Sequence, residues 1–178
     1  PTLLSAADRE SFWPGLPFTG WQATAETLQL WTQIVGKIRL TLTPWVNHSW
    51  HTALYVTPRG LTTSPIPSEE RTFQLEFDFV DHRLLIETSR GEVGTVLLAS
   101  RSVADFYRDL LARLAEVGLE IKIRTTPCEV ADAIPFEQDA AHATYSPEHA
   151  NRFLRALIQA DRVLKVFRAR FIGKCSPV

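Results

Sequence analysis

An alternating run of aromatic and aliphatic residues in the middle of the chain most constrains its fold. From Phe73 to Phe79 every second residue is Phe or Leu, and the residues between them are polar. A strand with one apolar and one wet face is typical of an antiparallel sheet rather than of a parallel sheet covered on both faces. The run therefore predicts an α+β fold built around an antiparallel sheet.

Short connections extend this strand into a meander. Asp81-His82 and Ser89-Arg90-Gly91 are tight turns between successive apolar segments. Residues 64–70 are rich in Pro and are predicted to form a loop. We expect a meander sheet of about five to six strands. The predicted strands cover residues 37–43, 52–57 with a short extension at 61–63, 73–79, 83–88, 92–99 and 119–124.

Helix-start signals predict three helices flanking the sheet. In the first, Gln22 stands three residues after its N-cap, which is the spacing of a capping box, and in the second Asp105 does the same. The apolar stripe of the third helix is expected to be buried as far as Phe171. The three helices open at Thr19, Ser102 and Ser146 and end near Gly36, Gly118 and Gly173.

Length and composition favour one ordinary globular domain over 1–178, with residues 1–17 as an extended arm. The 178 residues are 45% hydrophobic and 22% charged, and the formal net charge of −1 selects no polyanionic partner. The longest apolar runs stop well short of the ~20 residues that a membrane span needs. The N-terminus lacks the features of a signal peptide. We therefore expect a cytoplasmic protein with no membrane partner, in which Cys128 and Cys175 are reduced.

The polar and aromatic cluster from Trp45 to His51 is the first candidate site. It includes Asn47 and His48 and lies in a loop between two predicted strands, and loops on a rigid sheet often carry function. Two histidines three residues apart could ligate a metal ion, act as acid and base near neutral pH, or bind an anion when protonated. The alternative is structural: the indole rings fill the end of the sheet, and the imidazoles hydrogen-bond to the backbone.

The long connection over 125–145 is the second candidate site. A loop of this length without regular structure is uncommon in a compact domain and is usually functional or disordered. Asp139 could orient His142, because a carboxylate partner fixes the imidazole tautomer and raises its basicity. The alternative is a surface strap that is pinned by its apolar side chains.

The last helix and the tail form the third candidate site. From Ser146 onward seven cations stand against two anions, so this segment carries +5 and the rest of the chain carries −6. The planar donor fork of an arginine such as Arg168 suits a phosphate or a carboxylate. The alternative is a solvated helix face whose cations complement the helix dipole. Nucleic acid is disfavoured, because no recognised binding motif accompanies these cations.

Several catalytic and nucleotide-binding motifs are absent from the sequence. It has no G-x-x-x-x-G-K-[ST] phosphate loop, no G-x-G-x-x-G after a strand, no H-E-x-x-H and no G-x-S-x-G. P-loop nucleotide hydrolysis, dinucleotide binding in a Rossmann crevice and α/β-hydrolase chemistry are therefore disfavoured. The sequence identifies no cofactor and does not decide whether the protein is an enzyme.

Three strings carry a resemblance to a known family. They are WTQIVGKIRLTLTPWVNHSWH from Trp31 to His51, YVTPRGLTTSPIP from Tyr55 to Pro67, and QADRVLKVFRARFIGKCSPV from Gln159 to Val178. Over nearly its whole length the chain resembles an uncharacterised bacterial family known as a domain of unknown function. The resemblance implies no activity. Family members continue beyond the Gly-Lys-Cys-Ser-Pro string, which implies that this chain is shortened at its C-terminus.

Two functions follow from these features. The first is an enzyme or binding domain for a small anionic ligand, with a pocket at the end of the sheet. Its catalytic candidates are His48, His51 and His142, of which His48 and His51 are also weak metal-ligand candidates. The second is a noncatalytic protein-interaction module that uses the basic C-terminal helix. The sequence does not fix the oligomeric state. The ligand-binding candidates are Trp45, Asn47, Arg59, Asp139, Tyr145 and Arg168.

Overall fold

The computed structural model of the protein describes residues 12–69 and 71–173. These residues form a six-stranded antiparallel sheet with helices packed against it, so the predicted α+β class is confirmed. No helix within these ranges is long and apolar enough to cross a membrane. The predicted arm over 1–17 is described only from Phe12 onward. The elements are α1 (Phe18–Leu42), β1 (Tyr55–Val56), β2 (Gly60–Thr62), β3 (Ile66–Ser68), β4 (Arg71–Asp78), β5 (Arg83–Thr88), β6 (Val93–Leu97), α2 (Val103–Glu116) and α3 (Pro147–Arg168).

The sheet follows the order β1-β2-β4-β5-β6, and β3 also pairs with β4. β2 pairs with the C-terminal half of β4 and β3 with its N-terminal half, so the two short strands together line one edge of β4. The predicted loop over 64–70 is therefore wrong at Ile66–Ser68. Pro67 is tolerated there because β3 is an edge strand, where a missing N–H costs little. β5 and β6 confirm the predicted meander.

One face of the sheet is buried, as the alternating pattern predicts. Phe73, Leu75 and Phe77 in β4, with Leu84 and Ile86 in β5, are all at most 2% exposed. The residues between them are partly or fully open to solvent. Burying an apolar side chain of this size stabilises the fold by about 1.5–3 kcal/mol. The sheet therefore supplies one wall of the core, and the helices supply the other.

Helix α1 is longer than the sequence suggests. Its residues continue in helical conformation to Leu42, so the strand predicted over 37–43 is wrong. Trp31, Ile34 and Ile38 are fully buried at helical spacing, and this stripe continues across the predicted break. A half-buried strand would also leave the residues at the odd positions wet, whereas Lys37 is only 7% exposed. Tertiary packing of the helix therefore overrides the local alternation.

The N-terminus of α1 also differs from the prediction. The helix begins at Phe18, directly after Pro17, and has no side-chain cap, so the predicted N-cap at Thr19 is wrong. Gly36 does not end the helix. Its Cα faces the carbonyl oxygen of Thr52, which a Cβ at this position would approach to 4.0 Å. The glycine thus lies where the following loop passes close to the helix.

The segment after α2 keeps the alternation of a strand but is not one. Leu119 is buried, Ile121 and Ile123 pack partly against the core, and the residues between them are exposed. Within the described ranges no ladder pairs this segment with another strand, so the strand predicted over 119–124 is wrong. A period of two shows which side chains face the core and does not supply a hydrogen-bonding neighbour.

The predicted N-caps of α2 and α3 are confirmed. Ser102 Oγ accepts a hydrogen bond from the Asp105 amide at 3.0 Å, and Ser146 Oγ accepts one from the His149 amide at 3.3 Å. Gly118 follows α2 with a φ of +74°, a conformation that favours glycine.

The C-terminal half of α3 lies in solvent, contrary to the predicted stripe. Ala150 and Leu154 are buried, but Leu164 is 48% exposed, and Phe167 and Phe171 are 74% and 59% exposed. α3 packs on the rest of the chain through its first turns and then extends beyond the core.

Aromatic rings join the helices to the sheet. The Trp31 ring stacks on Phe106 of α2 with 4.5 Å between ring centroids and on Tyr145 at 5.6 Å. Phe106 in turn stacks on Phe77 of β4 at 6.4 Å. This stack, which we call the Trp31 stack, connects α1, α2, the sheet and the segment before α3. Each such ring pair adds about 0.5–1.5 kcal/mol to the free energy of burial.

We expect Trp31→Ala to lower the free energy of unfolding by about 3–5 kcal/mol, because the indole is fully buried and its removal leaves a cavity beside the rings of Phe106 and Tyr145. Urea unfolding followed by circular dichroism measures the change. Trp45→Ala is the matched control, since Trp45 is 68% exposed and its loss should cost no more than about 0.5 kcal/mol. Equal losses for the two variants would contradict the central role of Trp31.

Candidate functional site

The Trp45–His51 cluster lies between α1 and β1, not between two strands. Most of the cluster belongs to a 3-10 segment over Asn47–Thr52. The strand predicted over 52–57 is shorter in the structure and covers only Tyr55–Val56. His48 and Ser49 have φ values of 57° and 58°, in the left-handed region. The segment is thus a tight irregular turn that packs on the C-terminal half of α1.

The two histidines of this cluster have different environments. His51 is 4% exposed, its Nδ1 accepts a hydrogen bond from the Val46 amide at 3.3 Å, and its ring packs against Trp45. His48 is exposed, and its ring packs beside that of Trp50 with 5.5 Å between ring centroids. Across 12–69 and 71–173 no three His, Cys, Asp or Glu side chains come together as a group that could hold a metal ion. The hydrogen bond between His51 and the Val46 amide is the backbone contact that the structural alternative predicts.

Arg59 lies in an ion-pair network at the end of the sheet. Its guanidinium donates to Asp78 Oδ2 through Nε at 2.9 Å and Nη2 at 2.8 Å, and Nη2 lies 2.7 Å from Asp81 Oδ2. Burial alone would raise the pKa of Asp78, but hydrogen bonds from the Asp81 amide, from Arg59 and from the Val80 amide hold that pKa below its usual range. Nε and Nη2 of Arg59 are thus engaged within the protein.

We expect Asp78→Asn to lower the free energy of unfolding by about 1–3 kcal/mol at pH 7, because it leaves Arg59 without its buried partner while solvent still reaches the guanidinium. A depressed carboxyl pKa stabilises the fold above the unfolded pKa of about 4, and that stability is lost as the pH falls through the folded pKa. Urea unfolding at several pH values should therefore show the difference closing below about pH 4. Glu120→Gln, at an exposed position, should show no such pH dependence.

Asp139 and His142 form the hydrogen-bonded pair that their spacing suggests. Asp139 is 1% exposed, and its Oδ2 lies 2.8 Å from His142 Nδ1. Its other oxygen accepts hydrogen bonds from the Ala141 and His142 amides. The carbonyl groups of Asp139 and His142 also accept hydrogen bonds from the first amides of α2. The pair is therefore rigidly seated at the N-terminus of α2.

Tyr145 and Arg168 lie apart from that pair. The Tyr145 hydroxyl hydrogen-bonds to His82 Nδ1 at 2.8 Å, and its ring belongs to the Trp31 stack. Burial, and secondarily the charge of Asp78, raise the pKa of Tyr145 far above its usual range. Arg168 is exposed at the end of α3. Of the candidates from the three sequence clusters, only His142 lines one of the clefts described below.

Side chains of α1 hold the long connection over 125–145 in place. Gln33 hydrogen-bonds to both backbone groups of Cys128, donating to the carbonyl oxygen at 2.9 Å and accepting from the amide at 2.8 Å. Thr27 Oγ1 accepts from the Thr144 amide, and Thr24 Oγ1 accepts from the Ser146 amide, each at 3.2 Å. The helix thereby provides the connection with the partners that a neighbouring strand would provide.

A polar cleft of about 590 Å³ lies between α1, the 3-10 segment and this connection. Lys37 lies in its wall with Nζ 3.4 Å from Cys128 Sγ, and Cys128 is exposed. Glu129 and Gln29 also line it. A smaller cleft of about 310 Å³ shares Gln29 and Glu129 with it and is lined by His142. The Asp139–His142 pair is thus next to the polar cleft but has no hydrogen bond to Cys128.

An apolar cleft of about 380 Å³ adjoins the polar cleft toward the N-terminus of α1. The two share Gln29, Thr32 and Leu54. We call the apolar and polar clefts together the α1 groove. The side chains that line only the apolar cleft come from α1, the sheet and α3: Trp21, Ala25, Leu28, Leu61, Phe79, Phe153 and Leu157.

The sequence predictions did not identify the α1 groove. The alternation over 37–43 places Lys37 on the wet face of a strand, and neither Gln33 nor the thiol of Cys128 belongs to a recognised motif. In a continuous helix Gln29, Gln33 and Lys37 stand four residues apart and share one face, which is the signal that could have found them.

A comparison with known protein families assigns the chain to one of them. The family of unknown function DUF5996 matches residues 13–178. The chain belongs to this family. The resemblance noted in the sequence is thereby confirmed, and membership of the family brings no named activity. No curated protein and no solved structure matches the chain significantly.

Proposed function

We propose that the protein binds a small amphipathic molecule in the α1 groove. The observation that carries this proposal is the position of Lys37, which is 7% exposed, lines the polar cleft and pairs with no carboxylate in the described parts of the chain. A mostly buried lysine without a carboxylate partner gains from a ligand that supplies an anion or a carbonyl oxygen. This agrees with the small anionic ligand expected from the sequence.

The adjoining apolar cleft supports an amphipathic ligand rather than a small ion. Its wall combines aromatic and aliphatic side chains from three elements, and Trp21 packs against Phe153 with 5.1 Å between ring centroids. Pockets for small molecules are typically apolar with a few polar groups that fix the orientation. A ligand with its apolar part near Trp21 and its polar end near Lys37 matches this arrangement.

We place this function in the bacterial cytoplasm. The exposed free thiol of Cys128 fits a reducing compartment, where such a group is not lost to disulfide formation. The Asp139–His142 pair beside the polar cleft leaves room for catalysis on the bound molecule, but binding is the function that the groove supports best.

We expect Ala25→Phe to weaken the binding of 1-anilinonaphthalene-8-sulfonate at least tenfold, because the new ring fills the apolar cleft that Ala25 lines. Fluorescence titration of each folded variant measures the dissociation constant of the probe. Ala23→Phe is the matched control, since Ala23 lies on the same helix but is exposed and lines none of these clefts.

A second comparison tests the polar end. Lys37→Met should weaken binding of the anionic probe while leaving that of its uncharged analogue N-phenyl-1-naphthylamine nearly unchanged. Lys122→Met, at an exposed position, should alter neither. Equal binding by the Ala25→Phe and Ala23→Phe variants would contradict the proposed groove.

A further inference from the structure

We infer that Cys128 is a nucleophilic thiol and that Lys37 provides its counter-charge. The Lys37 ammonium donates to Cys128 Sγ at 3.4 Å, and no described carboxylate forms an ion pair with this lysine. Reactive cysteines characteristically lie beside a cationic side chain in a partly exposed environment. The contact joins a lysine that is 7% exposed to a sulfur that is open to solvent. The negative charge of Glu129 in the same cleft opposes this role of Lys37, but Glu129 is exposed and its charge is therefore screened.

The backbone around Cys128 is fixed so that its thiol stays beside Lys37. Gln33 accepts from the Cys128 amide and donates to its carbonyl group, and it lies one helical turn before Lys37 on α1. The same face of one helix therefore holds both the backbone of the cysteine and the charge beside its sulfur. Cys128 is exposed and lines the polar cleft, so a reagent in the α1 groove reaches the sulfur without any rearrangement.

The class of electrophile follows from the groove, and this step rests on the proposed function. A ligand with an apolar chain in the apolar cleft and a conjugated carbonyl group near Lys37 would present its β-carbon to Cys128. An α,β-unsaturated ketone has this form. The thiol gives its proton to water and the sulfur bonds to the β-carbon. The C=C π pair then forms a double bond between the α-carbon and the carbonyl carbon as the C=O π pair moves to the oxygen, which gives an enolate facing the ammonium. The α-carbon finally takes a proton back from water. The net change is addition of S–H across the double bond, with no oxidant and no leaving group.

The thiol is tested first, in the full chain carrying Cys175→Ser so that Cys128 is its one cysteine. Alkylation by iodoacetamide at pH 7 is followed by mass spectrometry. Lys37→Met should slow the reaction about tenfold, Lys37→Arg should retain most of the rate because it keeps the charge, and Lys122→Met should leave it unchanged. Thermal unfolding by circular dichroism verifies that each variant is folded. Equal rates in the starting protein and in folded Lys37→Met, or a rate in Lys37→Arg as low as in Lys37→Met, overturn the role of Lys37.

The electrophile class is tested with 3-nonen-2-one and 3-buten-2-one. The ratio of their addition rates at Cys128 should favour the long-chain ketone about tenfold more in the starting protein than in Ala25→Phe, where the apolar cleft is filled. Ala23→Phe should keep the starting ratio. A Lys37-dependent reaction with iodoacetamide but an unchanged ketone ratio overturns the substrate class and leaves the thiol assignment standing. The naphthalene probes report separately on whether the groove binds at all.

Discussion

Packing around the indole of Trp31 is the interaction on which the arrangement of layers depends. The ring is fully buried, with Phe106 of α2 and Tyr145 stacked against it, and Phe106 carries the contact on to the sheet. The indole Nε1 finds no acceptor in the described part of the chain, which costs about 1–3 kcal/mol. The fold accepts that cost because the buried ring area contributes more than the missing hydrogen bond removes.

The central position of α1 also explains why the candidate site is where it is. From Leu28 to Arg39 most side chains of this helix are buried, so its polar groups need partners inside the protein. Thr24, Thr27 and Gln33 find them in the backbone of the connection that precedes α3. Lys37 finds only a sulfur atom at the edge of a cleft. Lys37, a cation that this packing leaves without a carboxylate partner, is thereby directed at the space where a ligand fits.

The sequence predicted those parts of the fold whose causes are local. The β4–β6 meander and the caps at Ser102 and Ser146 follow from alternation and from capping groups within a few residues. The end of α1 could not be predicted in this way. Its last turns match the alternation of a strand, but tertiary packing buries residues such as Lys37 and Arg39 that a strand would leave in water. Likewise the exposure of Phe167 depends on where the core ends along α3, and the helical spacing of apolar residues gives no information on that point.

The candidate site was less predictable than the fold. The pairing of Asp139 with His142 is local and was foreseen, but Cys128 and Gln33 are 95 residues apart in the chain. Neither residue belongs to a recognised motif, and a lysine in a presumed strand gave no reason to connect them. The polar clusters that attracted attention, such as Trp45–His51, are conspicuous in composition but hydrogen-bond or stack mainly within themselves.

The attachment of the long connection to α1 has a consequence for how the protein opens. The amides of Cys128, Thr144 and Ser146 are bonded to side chains of a core helix rather than to neighbours in their own segment. These amides therefore exchange with solvent only when the connection separates from α1, although the residues around them have little regular structure. The connection can thus open without unfolding of the helix, so a substitution at Gln33 should loosen this distant segment while the helix itself persists.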